Sequence, residues 1–420
     1  MHAGRFLFSA LIAHLPQKEF QKCVARYDAD PRFRTFSYWD QFLAMAFAQL
    51  TYRESLRDIE ACLGAVSDKL YHLGFRGKVA RATLADANES RDCHIFADFA
   101  QVLIGIARPL YAGDANGAGL DQSLYALDST TIDLCLALFP WADFREHKAA
   151  VKLHTLLDLH GNIPAFIHIS DGKKHDVNVL DMIRFEAGGF YVMDRGYVDF
   201  ERLYRITLSS AFFVIRAKQN VLLQRRYSHP VDAASGVRSD QTVVLATIAS
   251  ATVYPDALRR ISYLDAETDK RLIFWTNNFI LPPLTIASIY KCRWQVELFF
   301  KWIKQHLRIK AFYGYSENAV KIQIWVAISV YVRSLSSESA WDWKLVSTKF
   351  YKFSASRFSR KRPFYGHFKL VAPKTLWTAT LTNWFYSTYE PDSSECAIKP
   401  WSPFWTNERD VFLPLPRVKR

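Results

Sequence analysis

Three acidic residues stand where an acid is expensive. Asp128 closes the apolar run Tyr125-Ala126-Leu127 and precedes Ser129-Thr130-Thr131. Asp194 closes Phe190-Tyr191-Val192-Met193 and precedes Arg195-Gly196-Tyr197. A carboxylate at the end of a buried strand must be paired, hydrogen-bonded or metal-bound. Two such strands side by side would bring both carboxylates together, an oxygen-rich arrangement that suits hard divalent cations. The third acid, Glu297, lies in a basic helical stretch with Tyr290, Arg293 and Lys304. Steps of three, four and seven residues put these four on one face of a continuous helix. Taken singly, each aspartate also reads as a strand-end cap. The stripe likewise reads as a solvated face whose Arg293–Glu297 pair contributes about a few tenths of a kcal/mol.

The elements that must carry these residues follow from periodicity. Residues 1 to about 115 read as helical, with Phe42, Met45, Ala46, Gln49 and Leu50 and then Leu56, Ile59, Cys62 and Leu63 near helical spacing. A further helix opens at Thr83 beside Arg76, Lys78, Arg81 and Arg91, and is compatible with either a helix-turn-helix or an ordinary bundle with a basic edge. The Ala- and Gly-rich stretch 110–121 reads as a linker. Strands are predicted over 123–132, 151–159 and 163–170 as a meander turning at Gly161-Asn162, then over 189–193 and 211–217. Helices are predicted over 177–185, 199–208 and 284–309. Short β-rich runs fill 219–280. Three meander strands followed by alternating helices and strands define a mixed α/β sheet.

The chain has 420 residues, 50% hydrophobic and 15% aromatic, which excludes a disordered polypeptide. No membrane span is expected, and the apolar stretch Phe6–Ile12 is expected to be a buried helix rather than a leader. The six cysteines, at 23, 62, 93, 135, 292 and 396, are dispersed, which speaks against a zinc site or a disulfide framework. The net charge of +13 suggests a polyanionic partner, but residues 333–420 hold fifteen Lys and Arg against seven Asp and Glu and so supply +8 of it.

Taken together, the three acids and their neighbours resemble the DDE transposases of bacterial insertion sequences. The pattern Tyr-two-Arg-three-Glu-six-Lys, with Asp-Ser-Thr and Asp-Arg-Gly-Tyr upstream, is similar to insertion-sequence family four. Tyr52 to Ile59 and Val151 to Thr155 match as well. The resemblance covers roughly residues 1–332. It implies an α/β fold: a ribonuclease H-like mixed sheet (122–218 and 281–332) interrupted by a β-rich insertion (219–280), after an N-terminal all-α DNA-binding domain (1–115). It further implies Asp128, Asp194 and Glu297 as catalytic metal ligands for two Mg²⁺ ions, Mn²⁺ substituting. Tyr290, Arg293, Lys304, Lys301 and Arg308 are implied as DNA contacts. The expected function is metal-dependent cleavage at transposon ends and strand transfer by the freed 3′-OH. The expected partners are double-stranded DNA (terminal inverted repeats and target) and, in the synaptic complex, a second copy. The expected place is the cytoplasm, at the nucleoid. Trp275 and Trp294 could stack on an unpaired base, though core packing is the expected role of both. His154, His175 and Asp176 lie near the site and are not expected as ligands, because Mg²⁺ prefers oxygen and the first two offer nitrogen.

From Arg333 the pattern fails. Eight serines fall between 334 and 359, six of the twelve tryptophans lie beyond 340, and one glycine of sixteen, Gly366, remains. This tail is expected to be poorly ordered and is read as a frameshifted C-terminus. That keeps two alternatives open: a catalytically impaired remnant that only binds DNA, and a ribonuclease H-fold nuclease without strand transfer.

Overall fold

The computed structural model describes residues 7–12, 14–27, 35–114, 116–145, 148–306 and 312–335. Arg308 and the tail 336–420 lie outside the described residues.

Six helices lead: α1 (Leu7–Ile12), α2 (Gln17–Arg26), α3 (Tyr38–Leu50), α4 (Leu56–Gly64), α5 (Arg81–Ser90) and α6 (Cys93–Ala107). Local chemistry fixes their starts. The Ser37 hydroxyl accepts the Asp40 N–H while the Asp40 carboxylate accepts the Ser37 N–H, a reciprocal cap on α3. Ser55 and Asp92 cap α4 and α6. The connection from α4 to α5, residues 65–80, holds two 3₁₀ turns. It is far longer than the three- or four-residue turn of a helix-turn-helix.

By length and composition alone one segment, Cys93–Tyr111, could cross a membrane (19 residues, mean hydropathy 1.2). Here it is a core helix. Ile95, Phe96, Phe99 and Leu103 are buried, with Phe99 edge-on to Phe20 of α2 at 5.0 Å. The stretch 110–121 is tied down as well. The buried Asn116 side chain donates to the carbonyls of Leu120 and Gln122 and accepts the N–H of Ala118 and Leu120.

The sheet follows: β1 (Leu124–Leu134), β2 (Asp143–Arg145), β3 (Lys148–Asp158), β4 (Ile163–Asp171), β5 (Phe190–Met193), then α7 (Phe200–Leu208) and β6 (Phe212–Arg216). β1 runs antiparallel to β3 and β3 to β4, while β1, β5 and β6 run parallel. The resulting order β4-β3-β1-β5-β6 is that of a ribonuclease H-like core. Next come β7 (Leu223–His229), β8 (Val237–Leu245), α8 (Ile248–Val253), β9 (Leu258–Asp265) and β10 (Lys270–Thr276). The insertion extends the core sheet, because β10 pairs with β6 and carries β9, β8 and β7 outward. A buried pair latches it: Arg259 donates to both oxygens of Asp240 (2.9 and 2.7 Å) and to the carbonyls of Asn278 and Leu281.

The chain then folds back as α9 (Pro283–Cys292), α10 (Trp294–His306) and α11 (Glu317–Leu335). Pro283 opens α9 where a missing N–H costs nothing. α11 is buried along most of its length, and the N-terminal helices, one sheet face and α9 to α11 share one apolar cluster. Polar bonds add to this. The Asn318 side chain donates to the carbonyls of Asn88 and Arg91 and accepts the Cys93 N–H, while Gln49 donates to the Gln323 carbonyl.

Two predicted helices differ. Residues 177–185 hold only the 3₁₀ segment Asp176–Asp181, with no side-chain cap and with the Asp181 carboxylate drawn away by Arg202 and Arg205. The predicted helix 284–309 breaks at Arg293. There the Arg293 N–H bonds Tyr290 O and the Val296 N–H bonds Arg293 O, both three residues back, which tightens the turn.

Candidate active site

Strand register places the two aspartates. Leu127 pairs with Met193 across parallel β1 and β5, so Asp128 and Asp194 are each the next residue. Asp194 follows the end of β5, whereas Asp128, expected at a strand end, lies inside β1, which runs on to Leu134 paired with β3 alone. Side chains alternate along a strand. Leu127 and Met193 enter the core on one side of the sheet, while Ala126 and Val192 enter the cluster that includes α9 and α10. Both aspartates therefore face α9 and α10.

Those helices bring the rest. Arg293, at the break, donates through one guanidinium nitrogen to Asp128 Oδ2 at 2.7 Å and through the other to Glu297 Oε1 at 2.5 Å. The Asp128 and Glu297 carboxylates thus lie no further apart than one guanidinium spans. The Tyr290 hydroxyl reaches toward Asp194 Oδ1 at 3.5 Å, and its ring lies on Phe274 at 4.6 Å. The Ser129 N–H donates to Asp128 Oδ1 at 2.8 Å. An open cleft of about 460 Å³ begins here, lined by Asp128, Ser129, Thr130, Glu297, Lys301 and Lys304.

Electrostatics marks this centre as short of positive charge. Burial raises the Asp128 pKa to about 6, and Glu297 and Asp194 push the same way against Arg293 and the Ser129 N–H. Burial works to lower the Arg293 pKa, but Asp128, Tyr290 and Glu297 outweigh it and hold the guanidinium charged. One guanidinium bonds two of three carboxylates. Among the described residues nothing donates to Asp194 Oδ2 or Glu297 Oε2. Oxygen-only donors with unused lone pairs and excess negative charge fit hard divalent cations.

The structure thus brings together Asp128, Asp194, Glu297, Tyr290 and Arg293. Lys304 donates to the Thr131 carbonyl at 2.8 Å, tying α10 to β1, and Lys301 is exposed on the cleft wall. Arg308 is outside the described residues. Trp275 packs in the core against Phe200, as expected. Trp294, expected in the core, is instead 55% exposed at the start of α10, because the break at Arg293 turns it outward. His154 is fully buried.

Arg216 was missed. It closes β6 one residue past Ile215, which pairs with Met193, so Asp128, Asp194 and Arg216 form a row across β1 and the ends of β5 and β6. It is half-buried, close enough to Tyr290 to oppose the burial that raises that hydroxyl's pKa, and its side chain has no hydrogen bond or ion pair among the described residues. The signal was present in the sequence: a charged residue closing an apolar strand, with the opposite sign to the two aspartates.

A ribonuclease H-like sheet with an acidic centre where its parallel pairing stops defines a class of proteins that act on polynucleotides. Comparison with known proteins narrows it. The profile of the family described as "Transposase DDE domain" matches residues 119–333, half of the chain. A second family, described as "Domain of unknown function (DUF4372)", matches residues 3–76. Among named relatives, y4zB of Sinorhizobium fredii, named as a transposase, is 33% identical over 59% of this chain and 68% of its own. A chain named as the transposase for insertion sequence element IS5377, from Geobacillus stearothermophilus, is 34% identical over 50% of this chain and 55% of its own. One named for insertion sequence element IS4SA, from Synechocystis sp., is 27% identical over 62% of this chain and 72% of its own. The chain belongs to the transposase DDE domain family, whose members are DNA-acting enzymes that use divalent metal ions.

Proposed function

We propose that this chain cuts DNA at the ends of its own element and joins the freed 3′-OH to target DNA, as a member of insertion-sequence family four. The observation that carries the reading is the convergence of Asp128 and Glu297 on Arg293, with Asp194 on the neighbouring strand. Asp128, Asp194 and Glu297 would hold two Mg²⁺ or Mn²⁺ ions, which supply an activated water and neutralise the leaving oxygen. The protein's own groups do the rest. Arg293, released from its carboxylates, has a fixed fork of donors for a phosphate beside the scissile bond. Tyr290 and Lys304 flank it, and Lys301 extends the positive wall of the cleft. Exposed Trp294 offers a ring on which an unpaired base stacks. The N-terminal helices, with Arg76, Lys78 and Arg81 near α5, hold the terminal repeats. Two copies act together, because two ends are cut, and the substrate places them in the cytoplasm at the nucleoid.

The test is incubation of the protein with DNA carrying the element's own ends, in Mg²⁺ or Mn²⁺. Cleaved ends and joined products are expected, with a loss of at least about a hundredfold in D128N, D194N and E297Q. Nicks without joining would favour a nuclease. Metal-independent binding without cleavage would favour the DNA-binding remnant, a reading motivated by the loss of periodicity after Arg333. Translating the tail's nucleotides in the other two frames checks that motive: a frame that restores amphipathic helices supports it, and two that do not remove it.

A further inference from the structure

Behind Asp128, on the opposite sheet face, lies a polar cluster that the mechanism above does not use. The Ser129 hydroxyl donates to Asp176 Oδ1 at 2.8 Å. Lys152 Nζ lies 3.3 Å from the same oxygen and donates to the Lys174 carbonyl, fastening β3 to the loop that carries Asp176. The Ser170 hydroxyl gives its proton to the Asp171 carbonyl, so it must accept from His154 Nε2, 2.9 Å away. That leaves buried His154 Nδ1 a bare lone pair without a hydrogen bond, facing Asp176 Oδ1 at 3.7 Å. Two acceptors repel, so this oxygen is turned toward its donors, Ser129 and Lys152. The Tyr197 hydroxyl is also buried, beside Ser129 and close enough to Asp128, Asp176 and Asp194 to feel all three charges.

We propose that Asp176 is a positioning residue of the catalytic centre: it fixes Ser129, whose N–H holds the Asp128 carboxylate. Ser129 thus joins two acids, one on each face of the sheet. Its side chain is anchored by Asp176, and its amide is spent on Asp128. Without that anchor, β1 gains freedom just past its pairing with β5, where Asp128 must hold still. The proposal rests on the reading of Asp128 as a metal ligand.

The experiment is calorimetric titration of the full-length protein with Mn²⁺, alongside S129A, S129T, D176N, the S129A/D176N double variant and D128N, with DNA affinity measured in parallel. S129A and D176N are each expected to bind Mn²⁺ about tenfold more weakly, as when a partner orienting a metal ligand is removed. The double variant should be no weaker than either single one. S129T, which keeps the hydroxyl, should bind Mn²⁺ as wild type, and D176N should leave DNA affinity unchanged. Wild-type Mn²⁺ affinity in S129A and D176N overturns the proposal, as do losses that add in full in the double variant. If D176N fails to fold, S129A against S129T decides. D128N binding Mn²⁺ as wild type would instead overturn the metal site itself. Failure of the inference and failure of the underlying reading are therefore distinguishable.

Discussion

Arg293 bonds Asp128 at 2.7 Å and Glu297 at 2.5 Å through the two ends of one guanidinium, joining the first strand of the sheet to a helix near the end of the described chain. The pair with Glu297 is a local helical contact. The pair with Asp128 exists only because the sheet and helices pack. Removing the guanidinium leaves two partly buried carboxylates facing each other. R293A is expected to lose about 2 kcal/mol of stability without metal, less than a fully buried pair because these groups are partly solvated. Millimolar Mn²⁺ should shrink that loss, since a cation replaces the missing charge. Urea denaturation with and without Mn²⁺ checks both halves.

Metal affinity should depend on pH through Asp128. Its folded pKa, about 6, lies above the ordinary carboxylate value. The folded state therefore favours the protonated acid. The resulting stabilisation is fully present below the unfolded pKa and is lost as pH rises through about 6. Above that pH the ionised acid needs a cation. Mn²⁺ affinity should be flat above pH 7 and fall about tenfold per unit below pH 6, with proton release on binding. A calorimetric titration series from pH 5 to 8 tests this.

Arg216, whose side chain has no hydrogen bond or ion pair among the described residues and which lies one strand from Asp194, is placed to meet a DNA phosphate. R216Q should weaken binding to DNA of any sequence. It should also flatten the plot of log affinity against log salt by about one unit, the contribution of a single phosphate contact. Fluorescence anisotropy at several salt concentrations measures it. An unchanged slope assigns Arg216 to packing.

The latch between β8, β9 and the loop before α9 is almost fully enclosed, with Arg259 and Asp240 exposed by 6% and 4%. D240N strands a buried guanidinium and should cost about 3 kcal/mol. Replacing both partners by apolar residues of similar size, R259M with D240L, should recover most of that loss. Equilibrium unfolding of the single and double variants tests the cycle.

Much of this was legible along the chain. Asp128 and Asp194 stood out because an acid that stops an apolar run breaks the pattern, although β1 continues past Asp128 to Leu134. The side of the sheet each acid faces needed the packed core, because alternation alone does not say which face meets α9 and α10. The break at Arg293 was not visible, because helical periodicity tolerates a one-residue tightening; its consequence, the outward turn of Trp294, was missed with it. Residues 177–185 misled for a related reason. Their apolar spacing fits a helix, but Asp181 is claimed by Arg202 and Arg205 from another element. Arg216 carried the same signal as the aspartates and was passed over because its sign was opposite.

By itself, the sequence determined which residues are costly where they stand: acids that stop apolar runs, and a Tyr-Arg-Glu-Lys series in a helical stretch. Such signals are local, written in the few residues around each acid. Only the tertiary structure decided the partners. It set Arg293 between Asp128 and Glu297, brought Asp176 behind Ser129, and enclosed α11 with the N-terminal helices in one core. These contacts join residues far apart in the chain. Strand register and packing set the distances between them, and neither is encoded in any single stretch of sequence.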